Sequence, residues 1–143
     1  MIDRPVPVQR LKELGPRAAD LLEPIAKDPA EFPTRRAMAL DGLAVVAPDR
    51  AARVLGPLAR DEKQPVVLRV AAVHAAAAVL PDNEVQTELR PVLEGRHAGL
   101  RGEAAEVLSR KGGCAAVRTQ AARERVHQRG SWARAMSRCS EAR

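Results

Sequence analysis

Three residues whose types suit proton transfer or metal ligation recur at one spacing. Asp41, His74 and Glu106 each stand five residues beyond an arginine, namely Arg36, Arg69 and Arg101. Two carboxylates flanking an imidazole could orient it for proton transfer or hold a metal ion. If the three occupy equivalent places on adjacent helices, they lie roughly 8 to 10 Å apart. Metal bonds of about 2 Å need side chains that converge, which such a row supplies only if long side chains reach inward. The competing reading is a solvated polar stripe whose one histidine is tuned by two carboxylates. The rest of the chain adds no catalytic signature. Gly112-Gly113 reads as a helix stop rather than a phosphate loop, and no Ser or Cys is spaced beside a base in a way that marks a nucleophile. The expectation is a non-enzymatic chain with no cofactor and no metal.

The elements that must position these residues follow from a repeat. Arg36, Arg69 and Arg101 are 33 and 32 residues apart, and Pro24, Pro57 and Pro91 are 33 and 34 apart, so two independent markers keep one period. A period of this length built from two short helices identifies a helical solenoid. Alanine, leucine and valine carry the apolar content of the 143 residues, with Phe32 and Trp132 as the aromatic residues and no tyrosine. That composition favours helix over strand and suits closely approached helices.

In chain order, the segment to Gly15 reads as a degenerate cap. The first pair is Ala18 to Lys27 and Arg35 to Val46, with Thr34 as N-cap. The second begins at Asp49 as cap and continues in Val66 to Leu80. The third runs from Asp82 or Asn83 and ends with Leu100 to Lys111. Each of the three prolines sits inside the first helix of its pair, where it removes one backbone hydrogen bond and bends the helix. Cys114 to Val126 begins a fourth unit without the proline, and Ser131 to Cys139 reads as a short helix capped by Ser131. The expected fold is all-α, a right-handed α-solenoid of about three helix pairs with degenerate capping units. Residues 1–126 form the solenoid and 127–143 a basic C-terminal tail or short helix.

The pattern Leu-x-Pro-aliphatic, an Asp at the turn, then aliphatic-Arg-x-x-Ala resembles the HEAT repeat family, including short bacterial forms grouped with phycobilisome lyases. The resemblance covers roughly residues 11–126, and residues 100–108 match it best. It implies a curved stack whose second helices line a concave face. It also implies a hydrogen-bonded ladder in which Asp28 pairs with Arg36 and Asp61 with Arg69, with one rung missing where Gly95 replaces the aspartate. The resemblance further suggests a lyase-like or chaperone role. HEAT-like iron proteins carry His-Glu dipeptides, which this chain lacks, and HEAT-like glycosylases carry cleft aromatics, which it also lacks.

The cysteines, Cys114 and Cys139, have no paired or metal-ligand spacing, so neither a disulfide scaffold nor a zinc site is expected. No leader pattern is seen at Met1-Ile2-Asp3-Arg4-Pro5, and the longest apolar run, Val66 to Leu80, is too short and polar to span a bilayer. A cytoplasmic protein is expected. Residues 1–109 hold 15 Lys and Arg against 16 Asp and Glu, whereas residues 110–143 hold 9 against 2. This basic end points to an acidic protein surface, nucleic acid or anionic membrane. Arg118, Arg125 and Arg129 share one helix face, and Trp132 beside Arg134 could anchor an interface. The alternative is that Trp132 folds back over the open end of the last unit. Met38 and the alanines of the second helices make a face suited to an amphipathic helix. The expected partner-binding residues are thus Met38, Asp41, His74, Glu106, Arg118, Arg125, Arg129, Trp132 and Arg134, with a protein as partner and nucleic acid as the alternative.

Overall fold

The computed structural model describes residues 8–124 and 130–141, and all regular structure among them is helical. The helices are α1 (Val8–Leu14), α2 (Pro16–Lys27), α3 (Pro33–Val46), α4 (Pro48–Arg60), α5 (Val66–Val79), α6 (Asp82–Leu93), α7 (Ala98–Arg110), α8 (Cys114–Ala121) and α9 (Gly130–Glu141). They divide into two compact units, Met1–Val79 and Leu80–Arg143.

In the first unit α2 packs on α3 and α4 on α5, while α3 also lies beside α5 and α1 packs on α3. Small residues permit these close approaches. Ala19, Leu43 and Ala51 form a buried cluster, ringed by Leu22, Ala44, Val46, Ala47 and Val79. Pro24 and Pro57 sit inside α2 and α4 as the repeat requires. The helix starts differ from the sequence expectation by one or two residues. Phe32 rather than Thr34 is the N-cap of α3, because Pro33 presets the first helical residue. Likewise Ala47, not Asp49, caps α4 ahead of Pro48.

The second unit repeats this contact scheme helix for helix. α6 packs on α7, α7 on α9, α8 on α9, α6 on α8 and α7 on α8, matching α2 with α3, α3 with α5, α4 with α5, α2 with α4 and α3 with α4. The C-terminal helix α9 therefore stands to α7 as α5 stands to α3. It is the second helix of a fourth pair, whose first helix α8 is shortened to 8 residues. The stop before α8 is built as expected. Gly112 takes φ +77°, and the Gly113 amide donates to the Leu108 carbonyl at 2.8 Å, closing α7. A side chain at position 112 would also run into the Gln86 amide nitrogen.

The structure pairs Cys114 with Cys139, the two Cα atoms 5.3 Å apart, and so corrects the expectation that the cysteines are unrelated. The bond ties the first turn of α8 to α9. Sequence spacing concealed it because the pairing follows from the docking of α9, 25 residues downstream. Bonds of this kind persist in oxidising compartments, a feature that the cytoplasmic expectation did not foresee.

The ladder is also rearranged. The Asp28 carboxylate accepts from Ala30 N and that of Asp61 from Lys63 N, each folding its own turn. The buried Arg36 and Arg69 instead donate through Nε to the carbonyls of Ala26 and Ala59, at 3.1 and 3.0 Å. Arg36 also donates to the Gln64 side chain, and Gln64 in turn donates to Asp61. The link from one pair to the next thus runs through a glutamine. In the second unit Arg101 donates to both oxygens of Glu124, at 2.6 and 3.3 Å, and to the carbonyls of Gly95 and Arg96. The rung that the loss of the aspartate should remove is supplied by a carboxylate from the connector before α9. Both side chains of this pair are largely buried. Glu124→Ala is expected to destabilise the chain by about 2 to 3 kcal/mol in urea denaturation, since it strands a guanidinium.

Candidate partner-binding surface

Arg36 at the start of α3 reaches Gln64 just ahead of α5, so the two packed helices begin at the same end of the unit. Their outward positions follow helical spacing. On α3 these are Thr34, Met38, Asp41 and Val45, with Met38 half-buried and the others exposed. On α5 they are Val67, Val70, His74 and Ala78, with Val70 half-buried and the others exposed. The result is a two-helix face whose polar groups are Thr34, Asp41 and His74, set among aliphatic side chains. Phe32, 72% exposed, stands at the end from which both helices start, together with Val66 and Val67. Sequence periodicity could not single out Phe32, because it precedes its helix and has no counterpart in the other repeats.

Asp41 and His74 come close enough to interact. Partial loss of hydration raises the Asp41 carboxyl above its ordinary range, and the His74 charge works the other way. The folded chain therefore binds this proton more tightly than the unfolded chain does. Asp41 adds to stability as the pH falls toward the ordinary carboxylate value and opposes folding once it is ionised. Asp41→Asn should raise the melting temperature slightly at neutral pH. The gain should disappear below the ordinary carboxylate range when melting curves are compared across pH.

Glu106 lies in the second unit and serves a different purpose. It accepts from Arg134 Nη2 at 3.0 Å, and this bond is the main reason its carboxyl is held below the usual range. Its contribution to stability is present above the ordinary carboxylate value and is lost as the pH falls through the depressed one. Among the described residues no group of three or more His, Cys, Asp or Glu is placed to hold a metal ion.

Four of the nine basic residues of the C-terminal end are engaged within their own unit. Arg134 binds Glu106, Arg118 donates to the Cys139 carbonyl at 2.7 Å, and Arg138 reaches Ser109 Oγ. Lys111 lies 3.7 Å from Asp82. Trp132 is only 6% exposed, so its indole is not offered to a partner; it folds back onto α7, the second of the two sequence readings. Gly102 makes this possible, since a Cβ there would sit 3.3 Å from Trp132 Cδ1. Ser131 is not the cap of α9 but lies in its first turn, where its hydroxyl meets Glu103. Arg125 and Arg129 lie outside the described residues. His97, unremarked in the sequence, caps α7 by accepting from Leu100 N through Nδ1.

Among the described residues no helix is long and apolar enough to cross a membrane. No protein-family model, characterised protein or solved structure matches the chain.

Proposed function

We propose that the chain is a protein-interaction module, an adaptor or assembly subunit without enzymatic activity, built as a right-handed α-solenoid of HEAT-like helix pairs. The 33-residue period and the matching contact schemes of α2 to α5 and α6 to α9 support the architecture. The observation that carries the function is the α3 and α5 face. A soluble helix pair normally turns charged residues outward, whereas this one presents Val45, Val67, Val70 and Ala78 around a single acid and a single imidazole. An amphipathic helix with an apolar stripe is the partner that such a face accepts.

Arg118 and Arg134 are not assigned this role, because they hold α9 in place. Affinity capture with the full chain and with a Val67→Asp/Ala78→Asp variant tests the reading. The expected result is a partner that the wild type retains at high salt and the variant loses, with unchanged circular dichroism. Recovery of the same proteins by both forms would contradict it.

A further inference from the structure

Between α2 and α4 of the first unit opens a cleft of about 530 Å³, within the range of small-molecule sites. Its charged lining is one-sided: Lys27, Arg36, Arg50 and Arg53 face a single carboxylate, Glu23. Arg50 is already satisfied, donating to Glu23 and, at 2.7 Å, to Asp20. The Arg50 bond to Glu23 is the main cause holding the Glu23 carboxyl below the usual carboxylate range, with Lys27 and Arg53 adding to it through space. Counting Asp20 as well, the cluster keeps two positive charges in excess.

The second observation is Arg36 itself. It is 3% exposed, and its bonds go to neutral acceptors, the Ala26 carbonyl and the Gln64 side-chain oxygen. A guanidinium taken out of water is costly to keep without a counter-charge. Arg101, at the same place in its own helix pair, has one in Glu124, whereas Arg69, bonded to the Ala59 carbonyl, shares the lack but does not line the cleft. These bonds use two of the five N–H donors of Arg36, so the fork can still grip an oxyanion in the cleft it lines. Val54, Pro57 and Leu58 form an apolar wall beside it.

We propose that this cleft binds a small molecule bearing a phosphoryl or pyrophosphoryl group. Its anionic end lies against Arg36, Lys27 and Arg53, and its body runs along Val54 and Pro57. A planar fork with flanking cations is the usual means of holding such a group. The site lies on a different helix pair face from the α3 and α5 surface and does not depend on it.

Isothermal titration of the full chain with pyrophosphate and with ADP, against sodium chloride at matched ionic strength, tests the proposal. Saturable binding of pyrophosphate is expected, weakened at least tenfold in Lys27→Ala/Arg53→Ala and unchanged in Arg123→Ala. Tighter binding of ADP than of pyrophosphate would assign the apolar wall to the ligand body, and equal binding would assign the site to the phosphate group alone; both uphold the proposal. Amide shifts in the wild type on adding pyrophosphate, centred on residues 27, 36 and 53, give a reading independent of the variants. No saturable binding of either probe, or binding that the double variant retains in full, would overturn it.

Discussion

Trp132→Ala is expected to cost about 3 to 5 kcal/mol, the usual price of removing a buried aromatic side chain. The indole lies between α9 and α7, over the backbone of Gly102, and Ala135 and Cys139 continue the same buried stripe of α9. Without it α9 keeps the disulfide and the Arg134 to Glu106 pair. That pair adds little, because Arg134 is mostly exposed and its charge is screened by solvent. Urea denaturation followed by circular dichroism measures the loss. Because Trp132 is the only tryptophan and there is no tyrosine, wild-type fluorescence also reports the docking of α9 directly. Emission should be that of a buried indole and should move to that of a solvated one as α9 detaches. A variant that kept the wild-type midpoint would show that α9 does not complete the second unit.

The second large effect concerns the bond between Cys114 and Cys139. Cysteines 25 residues apart close a loop, and the chain-entropy model assigns such a closure about 3.5 kcal/mol through the unfolded state. The first helix of this last pair has only 8 residues and buries Val117 and Ala121, so its packing alone is thin. Cys114→Ser/Cys139→Ser, or the wild type in reductant, should therefore unfold at clearly lower urea. The Trp132 signal should shift with it. Equal midpoints with and without reductant would show that packing alone secures α9.

Much of the fold was legible because the repeat writes it twice over. The spacing of the prolines and arginines located α2 to α7 within a residue or two, and Gly112 marked the end of α7. The start positions slipped at α3 and α4 because proline at the first helical position moved the cap back to Phe32 and Ala47. The fourth pair was only half legible. Its proline is replaced by Glu124, and α8 is short. One signal was available: Arg134 lies 33 residues beyond Arg101. In α9, however, that position faces outward and reaches Glu106, unlike the buried Arg36 and Arg69.

The candidate surface was legible in part for a related reason. Helical spacing placed Met38 and Asp41 on one helix and His74 on its neighbour, facing the same side. It could not foresee that Glu106 would be claimed by Arg134, because that contact depends on a helix whose place in the repeat was hidden. Nor could charge counting foresee that Arg118, Lys111 and Arg138 bind carbonyl, carboxylate and hydroxyl groups of their own unit. Among the described residues, part of that basic excess goes into bonds within the unit, Arg118, Arg134 and Arg138 fastening α9.

The most direct measurement of the functional reading is site-specific photo-crosslinking in the native cell, with the reactive residue placed at position 74 on the α5 face or at position 123 beside the basic end. The account predicts a discrete protein adduct from position 74 and none of comparable yield from position 123. An adduct from position 123 alone, to protein or to nucleic acid, would contradict it and move the interaction to the basic end.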